Sequence, residues 1–435
     1  MTAILQGFWL IGFMKRSSKL QFPMDRSVGI HCLVHVGSRF SQPLLSVTKI
    51  TLNQPRGPEI ATIVFSIFVL GTTAVYICFL LVLTWGLVRL RRPVQSGGLP
   101  TVTVVIPMHN EESCAGETLR AIHLQDYKGP WELVCVDDRS DDATAEIVED
   151  WARKDSRIRL VQVPPQEPAV PSPKKRALAR GLDTATGEIL ITTDADCQPP
   201  PHWVSSLVSC FTEDVDVVQG PKHCLGDGRA VHRYQRLEML AFVAAEAAGF
   251  SLGKPFLASA PSLAYRANIY RKSGGFHGME GLVSGDDDML VHRMMASGGR
   301  AAYAMFPSIS VPTHPANSWR QALNQRARWA SNGSRYDNPL YVALLAGVFA
   351  WWCWLLLGWI PWTLDLIPGT LWWGVWLAKT PFDLLFLVIA AIRFRRLGTL
   401  VDYLWCLPLQ VGIFVYSAIA GHLGWFQWTR EADGG

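Results

Sequence analysis

The stretch GEILITTDADC, Gly187 to Cys197, decides how this chain is read. Its first part is apolar and β-branched, of strand length, and predicts a buried strand. That strand ends in two carboxylates one residue apart, Asp194 and Asp196. Two acids placed after a buried strand are costly unless they are paired or bound. Oxygen ligands of this kind suit Mg²⁺ or Mn²⁺ held together with phosphate groups. The plainer reading is a solvated acidic turn.

Upstream, the same pattern occurs twice more. TVTVVIP, Thr101 to Pro107, runs into IPMHNEE, Ile106 to Glu112. WELVCVDD, Trp131 to Asp138, runs into RSDDAT, and Thr144 to Trp151 has a helical pattern. Strands alternating with helices predict a mostly parallel sheet with ligands at the carboxyl ends of its strands. All three acidic loops fall at such ends. Each also has a structural reading: Asn110 as a helix cap with acids in the first turn, and an Asp-rich turn capping the helix at Thr144.

Downstream lie three more charged segments. PSPKKRALARG holds Lys174 and Lys175 at a predicted helix start. SGDDDML, Ser284 to Leu290, places Asp286, Asp287 and Asp288 side by side before a helix. Three adjacent acids repel, which raises a carboxyl toward working pH. The structural alternative is an acidic helix start with Ser284 as its cap. NSWRQALNQRARWA holds Gln325, Arg328 and Trp329 on an Arg-rich amphipathic helix. An arginine there can bind phosphate oxygens through two parallel hydrogen bonds.

Composition sets the surroundings. Of 435 residues, 49% are hydrophobic and only 17% charged, too apolar for an ordinary soluble enzyme. The net charge of +4 is no nucleic-acid footprint. Nine cysteines without CxxC spacing read as reduced or buried thiols. Ile60 to Val88 has no charge and is long enough to cross ~30 Å of hydrocarbon. Leu340 to Leu364 and Tyr403 to Trp428 read the same way; Thr370 to Ile392 is interrupted by Lys379, Pro381 and Asp383 and reads as a span or a partly interfacial segment. Lys379 and Asp383, four apart, face one another on a helix and predict a structural pair. Arginines after the first run and the RFRR run, Arg393 to Arg396, mark a cytoplasmic side. The expected topology puts the central domain inside an inner cell membrane, with the N-terminus, the loop at Asp365 and the C-terminus outside.

The organisation expected is a basic extension over 1–58, a membrane helix over 59–90, a cytoplasmic α/β domain over 91–339, a membrane region of two to three helices over 340–428, and a short tail over 429–435.

The ordered set VDDRSDD, TTDADC, SGDDDML and QRARW resembles the family 2 glycosyltransferases of GT-A fold, in the membrane-bound branch that carries QxxRW. That resemblance, over about Val102 to Ala330, implies an α/β GT-A domain flanked by transmembrane helices. It implies an inverting transfer of a sugar from a nucleotide-sugar, UDP-hexose by expectation, to a hydroxyl of a lipid-soluble acceptor. Pro107, Asn110, Glu111, Glu112, Asp137 and Asp138 would shape the nucleoside pocket. Lys174, or Lys175 in its place, would offset donor charge. Asp196 would bind the metal, and Asp194 the ribose or the metal. Asp287, within the pair it forms with Asp286, would be the general base. Gln325 and Arg328 would reach the diphosphate, and Trp329 would line the acceptor entrance. Two departures stand out: Arg139 where Gly is common, and ASAPSLAYR, Ala258 to Arg266, which lacks the usual Gly and Asn. The alternatives are a processive polysaccharide synthase, a donor-binding pseudoenzyme, and a transporter built around Lys379 and Asp383.

Overall fold

The three apolar runs that end in acids form the centre of a seven-stranded sheet. The computed structural model describes residues 57–91, 97–167, 170–279, 281, 285–331 and 339–427. Residues 1–56 of the expected extension, Ser284 and the tail lie outside them. The strands are β1 (Val102–Met108), β2 (Trp131–Asp137), β3 (Ile158–Gln162), β4 (Ile189–Thr192), β5 (Val217–Gln219), β6 (Lys222–Cys224), β7 (Leu263–Arg266), β8 (Ala301–Tyr303) and β9 (Val311–Thr313). The helices of the same domain are α2 (Ala115–His123), α3 (Thr144–Lys154), α4 (Pro173–Asp183), α5 (Trp203–Ser209), α6 (Ala230–Ser251), α7 (Ala267–Lys272), α8 (Asp288–Ala296) and α9 (Trp319–Ala330). Helix α1 (Gly57–Arg89) precedes them, and α10 (Pro339–Leu357), α11 (Trp359–Thr363), α12 (Gly369–Arg393) and α13 (Tyr403–His422) follow.

The sheet order is β3-β2-β1-β4-β7-β5-β8, with β6 and β9 forming a separate pair. Strands β1, β2, β3 and β4 are mutually parallel; β7 alone runs antiparallel to its neighbours. The register pairs Met108 with Asp137 and Val105 with Thr192, so the three acidic loops leave the sheet from one edge. β1 is buried at every position because alternate residues feed two cores. Val104 and Ile106 face one with Leu133 and Ile191; Val105 faces the other with Val134, Val136 and Leu190. Gly181 lets α4 lie directly on the sheet, since a Cβ there would come within 2.5 Å of Val105 Cγ1 and 2.8 Å of Val136 Cγ2. That close seat brings the start of α4 over the acidic loops.

The second core does not stop at the domain boundary. It continues through α6 into α1, α10 and α12, so domain and apolar helices share one packed interior. Three helical segments, 62–89, 369–393 and 397–422, are long and apolar enough to cross a membrane by length and composition. The run expected over Leu340 to Leu364 divides at Gly358 into α10 and α11. The interrupted third run is one continuous helix despite Pro381. Within it Lys379 is wholly buried and ion-paired to Asp383, which also accepts from Tyr76 Oη at 2.6 Å. The expected structural pair is present, and Tyr76 completes it.

Arg393 donates to the carbonyls of Leu90, at 3.0 Å, and Val88, so the carboxyl ends of α12 and α1 meet. This agrees with arginines on one side of the apolar layer. Helix α13 is bonded to the α/β domain at both ends. At its start Asp402 accepts from Arg233 Nε on α6 at 2.7 Å. Beyond its end Gln427 and Asn324 of α9 exchange two hydrogen bonds, of 2.7 and 2.8 Å. Both ends of α13 are thus tied to the α/β domain, and the helix lies along α9.

Candidate active site

A cavity of about 720 Å³ opens between the sheet edge, α6, α9 and α13. One wall holds Lys174, Asp194, Asp196, Asp286, Asp287, Asp288, Gln325 and Arg328. The opposite wall is apolar, with Phe242, Trp329, Phe349, Phe414, Ile419 and Leu423. Four separate sequence segments, those of Lys174, Asp194, Asp286 and Arg328, therefore converge on one cavity.

Asp194 and Asp196 stand just past β4, and their carboxylates with the Cys197 thiol could together hold a metal ion, all ligating atoms lying within 4.8 Å of one another. Cys197 Sγ donates to Asp196 Oδ1 at 3.7 Å, so it is a thiol here and the site is an oxygen pair. That donor set fits a hard divalent cation with its remaining positions left for phosphate and water.

Lys174, at the start of α4, bridges Asp194 at 2.7 Å and Asp286 at 2.9 Å. Burial opposes its charge, but the two carboxylates outweigh that and hold the ammonium above its ordinary value. Lys175 is buried and donates to the Met279 carbonyl at 3.1 Å, so it does not substitute for Lys174. Burial pushes Asp286 up, but the Lys174 ammonium beside it brings the net shift below the usual range. Asp287 moves the other way. Burial first, then the charges of Asp286 and Asp288, push its carboxyl well above the usual range. Asp288 rises to about 6, mainly through burial. The repulsion expected of three adjacent acids is present, and Lys174 decides which of them stays ionised most easily.

Asp287 is also the N-cap of α8, accepting from the Asp288 backbone N–H at 2.8 Å and from that of Ala260 at 3.3 Å. The helix-start reading is therefore true as well, with Asp287 in the place expected for Ser284. Arg328 is pushed down by burial, an effect opposed by Asp286, Asp287 and Asp194. Trp329 packs edge-on against Phe242 with ring centroids 5.9 Å apart. α9 is held by Arg326, whose guanidinium is buried against Glu238 at 2.9 Å and lies 4.9 Å from the Trp329 ring. Gly421 of α13 sits against the Ala327 carbonyl, where a Cβ would come within 2.5 Å.

Pro107, Asn110, Glu111, Glu112, Asp137 and Asp138 do not line this cavity. They form the adjoining sheet edge, where their polar groups brace one loop against another. Asn110 Oδ1 accepts from Asp141 N at 3.0 Å, and Asn110 N donates to Ser140 Oγ at 2.9 Å. Glu112 Oε2 accepts from Ala143 N at 3.0 Å, and Glu111 N donates to Thr144 Oγ1 at 2.7 Å. Asp137 accepts from Ser140. Asp138 is paired with Arg176 at 2.6 Å, a partner the sequence reading did not identify. Arg176 and Lys174 lie two apart at the start of α4, so they point to different faces and tie the two halves of the acidic edge together. Arg139 has φ of 61°, the left-handed conformation a glycine favours. It is held there by bonds from its guanidinium to the carbonyls of Pro164, at 3.1 Å, and Glu167.

Residues 100–332 match the family described as "Glycosyltransferase like family 2". Among curated relatives, a probable glycosyltransferase, YdaM, of Bacillus subtilis (strain 168) is 28% identical over 243 residues. Those residues are 55% of this chain and 56% of YdaM, so the match spans about half of each. An undecaprenyl-phosphate 4-deoxy-4-formamido-L-arabinose transferase of Edwardsiella ictaluri is 37% identical over 120 residues, 27% of this chain and 35% of that one. Among solved structures, the mannosyltransferase PcManGT of Pyrobaculum calidifontis, in complex with GDP-Man and Mn²⁺, is similar in fold. Its TM-score is 0.52 at 19% identity, covering 84% of this chain and 98% of that one.

Proposed function

The chain belongs to the glycosyltransferase-like family 2, and on that premise we propose that it moves a sugar from a nucleotide-sugar to a hydroxyl of a lipid-soluble acceptor with inversion. One observation carries this reading: the acidic cluster and an apolar wall reaching into α10 and α13 line a single cavity. A polar donor and an apolar acceptor can meet there.

The reaction follows from the groups present. The acceptor oxygen attacks the anomeric carbon as its proton passes to Asp287, and the nucleoside diphosphate leaves with the bonding electrons. A base must be ionised to act, and the raised pKa of Asp287 gives it proton affinity that an ordinary carboxylate lacks. No second carboxylate is assigned as nucleophile, so the displacement is single and the configuration inverts. Mg²⁺ or Mn²⁺ held by Asp194 and Asp196 would supply Lewis-acid stabilisation to the leaving diphosphate. PcManGT was solved with Mn²⁺, which supports a divalent ion of this kind. Lys174 would give up its bridge to Asp194 and Asp286 as that charge arrives. Arg328 and Gln325 would meet the diphosphate from α9. The nucleoside would lie along the edge built by Pro107, Asn110, Glu111, Glu112, Asp137 and Asp138, whose cross-bracing fixes its shape.

The apolar wall and the undecaprenyl-phosphate transferase relative favour a glycolipid, carotenoid or polyprenyl-type acceptor over a growing polymer. We place the domain on the cytoplasmic side of a cell membrane, on the arginines gathered at the ends of α1 and α12. Membranes holding the protein, given a panel of labelled nucleotide-sugars including UDP-hexoses, should yield label that extracts into organic solvent. A water-soluble polymer as the main product would replace this reading with a processive synthase.

A further inference from the structure

A second cavity, of about 380 Å³, lies behind the wall of the first. Its lining comes from β6, α6, the end of α12 and the segment after it. Lys222, His223, Arg236, Arg395 and Arg396 line it, and no carboxylate does. Lys222 is neutralised by Glu246 at 3.3 Å. His223 is pushed down to about 4, by burial and then by Arg396, so it is neutral at physiological pH. Arg236, Arg395 and Arg396 have no carboxylate within ion-pair distance among the described residues. Nε of Arg236 is buried without a hydrogen-bond partner. A buried guanidinium N–H is a strong donor that calls for an acceptor.

The surroundings indicate where that acceptor comes from. Ile392, Leu397, Val401 and Leu404, before and after the two arginines in the chain, are 59%, 59%, 74% and 77% exposed. Side chains this apolar, on segments that meet membrane criteria, belong among acyl chains. Arg395 and Arg396 sit between the two apolar segments 369–393 and 397–422, and Arg236 faces them from α6 of the α/β domain. Arg395 holds φ of 57°, a left-handed turn that ends α12 and turns the chain back toward the cavity.

We propose that this cavity binds a phosphate group, that of an anionic membrane lipid, through Arg236, Arg395 and Arg396. The site is separate from sugar transfer and does not depend on it. It shares Lys222, Cys224 and Met239 with the larger cavity, so an occupied site would stiffen the wall common to both.

The test uses the full chain, delipidated in neutral detergent. Short-chain phosphatidylglycerol is titrated in one arm and inorganic phosphate in the other, with binding read by native mass spectrometry and calorimetry. Saturable binding of the lipid with little of phosphate identifies a lipid headgroup as ligand. Equal binding of both identifies the phosphate group alone, and either result supports the site. Arg236→Gln and Arg396→Gln should each weaken binding about fivefold, the scale of one basic side chain near an anionic headgroup. Arg153→Gln, at an exposed pair with Asp150 on α3, should leave it unchanged. Arg396 is solvent-exposed, so its variant folds even where that of Arg236 does not. Failure of wild type to bind either ligand, or binding by the Arg396 variant equal to wild type, would overturn the proposal.

Discussion

Gly421→Ala is the sharpest test of how the apolar helices serve the site. The ideal Cβ at this position lies 2.5 Å from the Ala327 carbonyl oxygen and 3.0 Å from both Ala330 C and Ser331 N. All three are backbone atoms of α9 or the residue after it, so no side chain can rotate away. Ordinary contact begins at 3.4 Å, so α9 and α13 must part by about 0.9 Å. Arg328 and Trp329 follow Ala327 immediately and must move with it. Overpacking of this size costs ~1–3 kcal/mol. A displacement near 1 Å at a catalytic constellation costs ~100-fold in rate. The expected result is a turnover number about a hundredfold lower with metal binding intact. The control is Gly412→Ala on the same helix, where nothing lies within 4 Å of the new methyl. It should match wild type in turnover and be equally or slightly more stable. Measured transfer rates for the two variants within threefold of each other would refute the argument.

Other outcomes follow from the same geometry. Asp196→Asn should abolish transfer and metal-dependent donor binding, while full activity in excess EDTA would remove the metal from the mechanism. Asp287→Asn should keep donor affinity and lose ~100-fold or more in turnover; a larger defect in Asp286→Asn would move the base to Asp286. Activity should fall as pH falls, because protonated Asp287 cannot accept a proton, and its raised pKa sets that loss above the usual carboxylate range. Asp288→Asn removes one of the charges raising it, so the acid limb of the pH–rate profile should shift to lower pH; an unmoved limb would exclude Asp287 as the titrating group. Trp329→Ala should raise the KM for acceptor more than the Kd for donor.

Local patterns made much of this legible. Strands β1, β2 and β4 were visible because apolar runs of strand length end in acids, and the parallel order follows from the helices between them. Asp194, Asp196, Asp287 and Arg328 meet in one cavity, as the family resemblance implied. The pairing of Asp138 with Arg176, 38 residues away, was not legible, nor that of Arg326 with Glu238, 88 residues away. Such partners are chosen by packing, and several arginines nearby had equal claim by spacing. Arg139 looked like a blemish in a motif. Its backbone conformation shows the position asks for a left-handed residue, and arginine is held there by the carbonyls of Pro164 and Glu167. Gly421 carried no signal at all, since a glycine in an apolar helix is unremarkable until the neighbouring backbone is known.

Helix α13 is anchored through Asp402 at its start to Arg233, and through Gln427 beyond its end to Asn324, both on the α/β domain. It therefore works as a sling beneath the cavity, hung from two points of the same body. The two anchors are joined by one continuous helix of twenty residues. On the proposed function, the floor under a lipid-soluble acceptor would keep station with the carboxylates above. A greasy substrate arriving from the side would then be presented to Asp287 at a fixed height, whatever the thickness of the bilayer that delivers it.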